Sequence, residues 1–286
     1  MPGIANARIR LVTDTTACLS SEFLKAHCIE NVPQVILFGE ESFLEEVEIS
    51  RAEFIRRLRI SPILPKTAAP PPGEFVKAFA RQLAAAETLL CLHPSTEVSG
   101  TVRSALTARE DAFALDDIRI LDTRTVGGNL ASMVIQAADW VEQGWSADDI
   151  LARLQAMIPR GRTYFLVPTL EYLHRGGRIG GAAALAGSAL QIKPILQLLD
   201  GRVEALEKVR TQQRARARLI ELVREQCPPS PASHLCVMHA DLEEDAQRLA
   251  QELRESVGLR QVLVYPLGAA ITTHGGPGTL GVGFFT

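Results

Sequence analysis

The sequence feature that most constrains the fold is a repeated alternation between short apolar runs and stretches with helical periodicity. Each apolar run ends in hydroxyl, carboxylate or imidazole side chains, and five are clear: 9–14, 88–96, 118–123, 163–169 and 234–241. Alternation of this kind is typical of α/β folds built on a largely parallel sheet. In such folds ligands bind beyond the carboxyl ends of the strands, which is where these polar residues fall.

Signals for helix starts support the alternation. Ser50 and Ser146 each stand three residues before an acidic residue, which is the spacing of a capping box. Apolar residues then recur at helical spacing, as in Phe75, Phe79 and Leu83. We therefore predict amphipathic helices between the strands.

The length of the chain indicates more than one domain. Its 286 residues are close to twice the usual length of a domain. A helical pattern stops at the proline and glycine of 158–162, before the next apolar run begins. This break predicts two domains, 1–160 and 161–286.

The charge balance excludes several classes of binding protein. The chain has 30 Lys and Arg against 33 Asp and Glu, so no overall field attracts polyanions, and any anion must be bound locally. Aromatic residues make up 5%, which disfavours a platform for stacking nucleic-acid bases. No run approaches the roughly 18 apolar residues of a spanning helix, and 1–10 lacks the apolar core of a signal peptide. We predict a cytoplasmic protein that binds no nucleic acid and has no stable membrane insertion.

The sequence lacks the residue patterns of the common catalytic and metal sites. Its 5 Cys are odd in number and have no C-x-x-C spacing, which disfavours disulfides and zinc and predicts buried free thiols. The fingerprints of serine hydrolases, zinc proteases, P-loop proteins and dinucleotide-binding folds are also missing. These absences disfavour hydrolase, zinc-protease, P-loop and dinucleotide-binding functions, and we predict no metal and no cofactor.

The segment from Ser95 to Thr101 is a candidate anion site. It follows an apolar run, opens a helical pattern and carries four hydroxyls beside Gly100. Unpaired amides at a helix start can hold a carboxylate or phosphate, and hydroxyls add donors without adding charge. Ordinary N-capping needs only one hydroxyl, and it is the alternative interpretation.

Three other positions offer polar groups for the same purpose. Thr67 lies in a stiff, proline-rich loop, 64–73, which is excluded from a helix or a central strand. Arg178 follows two glycines that permit close approach, and its planar fork can bind an anion. His274 precedes a glycine-rich loop and can donate a hydrogen bond or act as base or nucleophile. Each also has an ordinary interpretation, as a connector, a solvated arginine or a structural histidine.

A basic stretch from Lys208 to Arg218 is the remaining candidate. Glutamates flank it and no aromatic residue interrupts it. A solvated face and a surface for protein docking are the two interpretations that this pattern allows.

In order and spacing, these segments resemble the DegV family of bacterial fatty-acid-binding proteins, from near the first apolar run to the last residues. The resemblance rests on Thr13-Asp14-Thr15-Thr16, the Thr67 loop ending Pro72-Gly73-Glu74-Phe75, Ser95 to Thr101, the stretch 173–196, Lys208-Val-Arg-Thr211, and His274 to Gly278. The stretch 173–196 contains Gly-Gly-Arg-Ile and Ile-Lys-Pro-Ile-Leu.

The resemblance implies an N-terminal three-layer α/β/α domain with a parallel sheet and a C-terminal two-layer α/β domain with a mixed sheet. One long-chain fatty acid would lie between the domains, with its tail in an apolar tunnel. The protein would be the carrier subunit of a fatty-acid kinase. It would present the carboxylate to a separate ATP-binding kinase that makes acyl-phosphate for phospholipid synthesis, and it would do no catalysis itself.

Motif positions imply which residues surround the carboxylate. They are Thr67, Ser95 or Thr96, Arg178 and His274, with Asp14, Ser99, Gly100, Thr101 and Gly276 in support. The chain departs from the family at three places. Ala68-Ala69 stand where Ser-Gln is usual, Ser95-Thr96 where Ser-Ser is usual, and Gly275 where Thr is usual.

Two other functions remain as hypotheses. The family's fold resembles that of a dihydroxyacetone kinase subunit, in which a histidine holds a small ketone covalently, so His274 would do comparable work in an enzyme. The second hypothesis is a non-catalytic interaction protein that uses the Lys208 to Arg218 face.

Overall fold

The structure is a computed structural model that describes residues 8–185 and 193–286. Residues 1–7 and 186–192 lie outside the described residues, and with them part of the 173–196 stretch. None of the helices in the described ranges is both long enough and apolar enough to cross a membrane.

The first half of the chain forms a parallel sheet of four strands, in the order β2-β1-β6-β7. These strands are β1 (Ile9–Asp14), β2 (Glu30–Val32), β6 (Thr88–His93) and β7 (Asp117–Asp122). A small antiparallel sheet lies beside it, in the order β4-β3-β5. Its strands are β3 (Val35–Phe38), β4 (Glu41–Leu44) and β5 (Lys66–Ala68). The prediction of parallel strands with polar ends is confirmed.

Helices cover both faces of the parallel sheet. They are α1 (Ser21–Ala26), α3 (Pro72–Leu83), α4 (Thr101–Ala112), α5 (Gly128–Glu142) and α6 (Ala147–Met157). Helix α2 (Arg51–Ile60) packs instead against Ile36 of the small antiparallel sheet. Phe75 and Phe79 of α3 pack with Val12 and Leu89 on one face, together with α4. Helices α1, α5 and α6 pack against the alternate strand residues on the other face. The three-layer α/β/α arrangement follows from this alternation of apolar side chains along each strand.

The local signals at the helix starts also agree with the structure. The Ser50 and Ser146 hydroxyls accept hydrogen bonds from the backbone N–H groups three residues on, at 3.3 Å and 3.2 Å. Within the proline-rich loop, residues 66–68 form an edge strand rather than a central one, and α3 begins at Pro72. Proline suits a first helical turn because its φ is already fixed and that turn needs no N–H partner.

The second half forms a mixed sheet of six strands, in the order β10-β9-β8-β13-β11-β12. The strands are β8 (Gly161–Leu166), β9 (Lys193–Leu199), β10 (Arg202–Val209), β11 (Cys236–His239), β12 (Leu263–Pro266) and β13 (Leu280–Phe285). Only the β11–β12 pair is parallel. Helices α8 (Gln212–Gln226) and α9 (Glu243–Val257) cover one face. The two short helices α7 (Glu171–Arg175) and α10 (Ala269–Gly275) contact each other.

Helix α5 joins the two sheets, since it packs against β1 and β6 on one side and β8, β11 and β13 on the other. Ala131 of α5 shares a buried cluster with Cys236, Met238 and Tyr265. Phe285, the last residue of β13, is buried in the core of the first half. The strands separate into sheets at residue 161, where the sequence predicts a boundary. The division into two domains stays a prediction.

The cysteines differ from expectation at one position. All 5 are free, and Cys18, Cys91, Cys227 and Cys236 are buried as predicted, but Cys28 is exposed. Cys28 follows the end of α1 in a turn with φ of 52°, which directs the chain along the surface.

Truncation of Phe285 tests how tightly the two halves are joined. We expect Phe285→Ala to lower the free energy of unfolding by about 3–5 kcal/mol, because a fully buried ring is lost from the first half's core. Urea denaturation followed by the fluorescence of Trp140 and Trp145, both in the first half, measures this effect. Leu115→Ala, at a fully exposed leucine, is the control and should change stability by less than about 0.5 kcal/mol. An unchanged fluorescence transition in Phe285→Ala would contradict the expected coupling.

Candidate functional site

A cavity lies between the carboxyl ends of the parallel strands and the second sheet. Its volume is about 140 Å³. Thr16, Pro94 and Val126 line it from the loops that follow β1, β6 and β7. The position matches the ligand site expected for a parallel α/β sheet.

Most of the cavity wall is apolar. The bulky side chains are supplied by the second sheet, by α7 and by the segment around α10, namely Phe165, Leu173, Leu198, Val203, Met238, Leu267 and Ile271. Gly127 completes the wall beside Met238 with φ of 67°, and an added Cβ there would lie 2.9 Å from the Met238 sulfur. A larger residue at 127 would therefore be strained and would push into the packed wall.

The polar end of the cavity is marked by a hydrogen bond between its two sides. Thr67 Oγ1, on the edge strand β5, lies 2.8 Å from His274 Nε2, in the last turn of α10. Both residues line the cavity. The sequence places these residues 207 positions apart, and only the packing of β5 against α10 brings them together.

The environment of His274 keeps its ring neutral. Burial, together with the smaller effect of the nearby positive charge of Arg178, lowers the pKa of His274 to about 4. The ring lies against Gly176, where an added Cβ would collide with Nδ1. Nδ1 is buried and has no hydrogen-bond partner among the described residues. A neutral imidazole carries one donor and one acceptor nitrogen, so His274 can take either role toward a ligand or Thr67.

Arg178 supplies positive charge to the cavity wall. Its Nε donates to the carbonyl of Val98 at 3.1 Å and its Nη1 donates to the carbonyl of Gly176 at 2.8 Å. The guanidinium is thereby held between the loop after β6 and the end of α7. A fixed arginine of this kind is suited to an anion, because little side-chain entropy remains to be lost on binding.

Asp14 organises the polar residues behind this wall. Its carboxylate is fully buried and accepts from Thr16 N at 3.0 Å, Thr16 Oγ1 at 2.6 Å and Gln34 Nε2 at 3.0 Å. The other oxygen lies 2.8 Å from Nδ1 of His93, which is also fully buried. Thr16 and Gln34 line the cavity, so Asp14 fixes their orientation from outside it.

The hydrogen bonds that continue from Gln34 reach the Ser99 hydroxyl. Gln34 Nε2 also donates to Thr101 Oγ1 at 2.9 Å, and Thr101 Oγ1 lies 2.7 Å from Ser99 Oγ, where either hydroxyl can be the donor. Ser99 Oγ accepts from Thr101 N as well, at 3.3 Å. When Thr101 is the donor of the hydroxyl pair, the hydrogen of Ser99 is available to an acceptor inside the cavity, which Ser99 lines.

The hydroxyls of Ser95 and Thr96 are directed elsewhere, and neither residue is among the described residues that line the cavity. Ser95 Oγ accepts from Glu97 N at 3.2 Å and packs against Gly201 in the turn between β9 and β10. Thr96 Oγ1 donates to Asp122 at 2.6 Å on the surface.

The remaining predicted site residues have several placements. Gly100 lines the cavity, Asp14 and Thr101 lie behind the wall, and Gly276, with φ of 82°, packs against the ring of Tyr172. The structure therefore brings together Thr67, Ser99, Gly100, Arg178 and His274.

Sequence reasoning missed Thr16 and Gln34 as residues of the wall. Thr16 stood in a motif but was not assigned a role, and its position directly after a strand was the available signal. Gln34 lies in Asn31-Val-Pro-Gln34 before a short strand, where no pattern marks it.

Two arginines of the basic stretch form ion pairs with glutamates. Arg218 pairs with Glu207 at 3.1 Å, Glu221 at 3.1 Å and Glu225 at 3.0 Å, and Arg216 pairs with Glu252 at 2.9 Å. Pairing of this kind is typical of a solvated face, and the docking surface stays a hypothesis. The described residues contain no group of three or more His, Cys, Asp or Glu placed to hold a metal ion.

Fold and cavity together define an α/β protein that encloses an apolar cavity with a polar end between two sheets. The family model described as "Uncharacterised protein, DegV family" matches residues 8–286. The chain belongs to the DegV family.

Relatives resemble this chain over nearly their whole length. A DegV domain-containing protein of Halalkalibacterium halodurans is 36% identical over 279 residues, 97% of this chain and 98% of its own. A solved DegV family protein of Thermus thermophilus, described by its fatty acid binding, has a TM-score of 0.89 at 32% identity, covering 98% of this chain and 99% of its own. Bacillus subtilis DegV, described as a fatty acid binding protein, has a TM-score of 0.86 at 32% identity, covering 98% and 100%.

The depressed pKa of His274 should appear in the pH dependence of stability. The neutral ring is favoured in the folded state, so unfolding takes up a proton between pH 6.5 and 4, and stability falls as the pH falls through this range. A shift to about 4 corresponds to about 3 kcal/mol. We expect His274→Gln to lose this part of the pH dependence in urea denaturation at pH 7 and pH 4.5. If the difference in free energy of unfolding between the unmodified protein and His274→Gln stays constant with pH, this part of the pH dependence does not come from His274.

Proposed function

We propose that the protein binds one long-chain fatty acid between its two domains, with the tail in the apolar cavity and the carboxylate at the polar end. Thr67, Ser99, Arg178 and His274 would surround the carboxylate. The observation that carries the proposal is the pairing of a mostly apolar wall with the Thr67–His274 hydrogen bond and Arg178. The fatty-acid-binding descriptions of the solved relatives support it.

The tail accounts for the affinity in this proposal. Burying roughly a dozen methylenes is worth on the order of 10 kcal/mol, before the cost of association is subtracted. The wall residues Phe165, Leu198, Met238 and Ile271 provide the apolar surface for this burial. The head group then has to contribute orientation more than affinity.

The polar end has the donors that a buried carboxylate requires. A carboxylate removed from water is costly unless hydrogen bonds and charge replace its hydration. Ser99 would donate its free hydroxyl hydrogen, Arg178 would supply the positive charge, and the Thr67–His274 pair would supply a further donor. Because His274 is neutral, the bound carboxylate would be balanced mainly by Arg178.

The departures from the family pattern bear on this end of the cavity. Ala69 lines it with a methyl group where the family usually has an amide, so one donor is absent. At Gly275 an added Cβ would lie 2.8 Å from Thr279 Oγ1. Thr279 thus occupies the space that a threonine at 275 would need.

The serine that binds the head group can be identified by substitution. We expect Ser99→Ala to weaken fatty-acid binding by about 10- to 100-fold, because a hydrogen bond to a charged group is worth about 1.5–3 kcal/mol. Thr96→Ala, at a hydroxyl bonded to Asp122 on the surface, is the matched control and should bind normally. Displacement of a fluorescent fatty acid measures both affinities, after delipidation of the proteins.

Two outcomes would contradict the proposal. If Ser99→Ala and Thr96→Ala lose affinity equally, the carboxylate would have to be assigned to the Ser95–Thr96 side. Failure of the unmodified protein to bind any fatty acid would overturn the function itself. In that case, a mass increase of the intact protein with a small ketone, lost in His274→Gln, would favour the enzyme hypothesis.

We further propose that the protein is a carrier subunit in the bacterial cytoplasm. It would present the fatty-acid carboxylate to a separate ATP-binding kinase, which would form acyl-phosphate for phospholipid synthesis, and it would do no catalysis of its own. The polar end suits this role, because hydroxyls, a neutral histidine and an arginine bind a carboxylate without reacting with it.

Formation of acyl-phosphate tests the carrier role. Acyl-phosphate reacts with hydroxylamine to give a hydroxamate, which mass spectrometry detects. We expect the loaded protein with ATP alone to give none, and the loaded protein with ATP and a fatty-acid kinase to give the hydroxamate. Hydroxamate formed without the kinase would contradict the non-catalytic role, and none with a kinase that is active on another DegV family carrier would contradict the partnership.

A further inference from the structure

Glu45 is a fully buried carboxylate that lies outside the cavity. It stands at the end of the small antiparallel sheet, directly after β4, and its side chain reaches the start of α10. Oε1 accepts from the backbone N–H of Ala270 at 2.9 Å. Gly268 gives the carboxylate its room, since an added Cβ there would collide with Oε1.

Helix α10 depends on this contact. The helix has only seven residues, and a helix of that length is not stable by itself, so tertiary contacts decide where it lies. Its N-cap residue, Gly268, has no side chain to cap the first turn, and Glu45 supplies the missing acceptor. Four residues of α10 line the cavity: Ala270, Ile271, His274 and Gly275.

The second oxygen of Glu45 ties α10 to the opposite wall. Oε2 accepts from the hydroxyl of Thr15, and Thr15 Oγ1 accepts from the backbone N–H of Gln34 at 3.1 Å. The backbone N–H of Glu45 in turn donates to the carbonyl of Gln34 at 2.9 Å. Gln34 and Thr16, the neighbour of Thr15, line the cavity. One carboxylate therefore connects the Thr16–Gln34 wall with the wall that carries His274.

The electrostatic surroundings of Glu45 are unfavourable to its charge. Its pKa is raised to about 7: burial is the largest cause, the hydrogen bonds from Thr15 and Ala270 oppose it, and the negative charges of Glu46 and Asp14 add to it. The thiol of Cys18 lies close enough to interact electrostatically with the Glu45 carboxylate. Arg51 pairs with Glu46 at 3.4 Å. A neutral group of the same shape would keep the acceptor for Ala270 without this cost.

We infer that Glu45 is a positioning residue for the cavity, holding α10 so that His274 stays buried opposite Thr67. It is not among the described residues that line the cavity, and it acts through α10. The effect on ligand affinity rests on the proposed function. The effect on His274 does not, because the burial that depresses the pKa of His274 exists without any ligand.

The experiment compares Glu45→Ala with Glu45→Gln, which keeps an oxygen for Ala270 N–H. The first readout is the NMR titration of the His274 ring in the ligand-free full chain. In Glu45→Ala we expect α10 to loosen and the pKa of His274 to rise by about one unit or more from its value of about 4. In Glu45→Gln we expect it to stay low. The second readout is affinity for a fluorescent fatty acid, weakened at least about tenfold in Glu45→Ala and less than about threefold in Glu45→Gln.

Leu249→Ala is the control for general loss of stability. Leu249 is fully buried in the core on the α8–α9 side of the second sheet. It is not among the described residues that line the cavity. It should lower the unfolding temperature by several degrees and leave both the His274 titration and the affinity unchanged. Should Glu45→Ala fail to fold, Gly268→Ala displaces the same carboxylate and is expected to shift both readouts in the same direction.

The outcomes separate the two proposals. A low pKa of His274 in Glu45→Ala, or an equal rise in Leu249→Ala, would overturn the positioning role. The unmodified protein could bind no fatty acid while the pKa of His274 still rises only when Glu45 or Gly268 is changed. That result would overturn the proposed function and leave the positioning role in place. A rise in the pKa of His274 in Glu45→Ala but not in Glu45→Gln supports the positioning role of Glu45.

Discussion

The buried carboxylate of Asp14 is the interaction on which the polar side of the cavity depends. A carboxylate at this depth costs several kcal/mol of stability unless it is hydrogen-bonded on all sides. Thr16, Gln34 and His93 satisfy it, and each is thereby fixed in one orientation. From Gln34 the hydrogen bonds continue to Thr101, and from Thr101 to Ser99. Asp14 thus helps to orient residues of the cavity wall without lining the cavity itself.

A second buried carboxylate, Glu45, does related work on the other side of the same loops. Asp14 orients side chains, whereas Glu45 holds a backbone element, the start of α10. The negative charge of Asp14 is one of the smaller causes of the raised pKa of Glu45, after burial. The Thr15 hydroxyl donates a hydrogen bond to Glu45, and the Thr16 hydroxyl donates one to Asp14. The polar groups behind the cavity therefore form a connected framework, and the cavity itself stays mostly apolar.

This division between an apolar wall and a polar framework explains how a protein with net negative charge can be suited to an anionic ligand. The anion would experience Arg178, the Ser99 hydroxyl and the Thr67–His274 pair at short range, while the acids behind the wall are already satisfied. A neutral His274 adds hydrogen bonding without adding charge. Burial of the imidazole, which costs stability at acidic pH, is the physical origin of that neutrality.

The sequence by itself determined the order of strands and helices, the parallel sheet and the polar strand ends, which follow from local periodicity and can be read without knowing what packs where. Residue types that are costly to bury marked Thr67, Arg178 and His274 one by one, and the resemblance to the DegV family joined them into one site. The tertiary structure alone decided which hydroxyl of Ser95 to Thr101 lines the cavity. Four hydroxyls within seven residues are equivalent in sequence, and the turn after β6 directs Ser95 and Thr96 away and Ser99 inward. It also decided the roles of Gln34 and Glu45, because the hydrogen-bond partners of their side chains lie 20 to 225 positions away along the chain and no local pattern encodes such pairs.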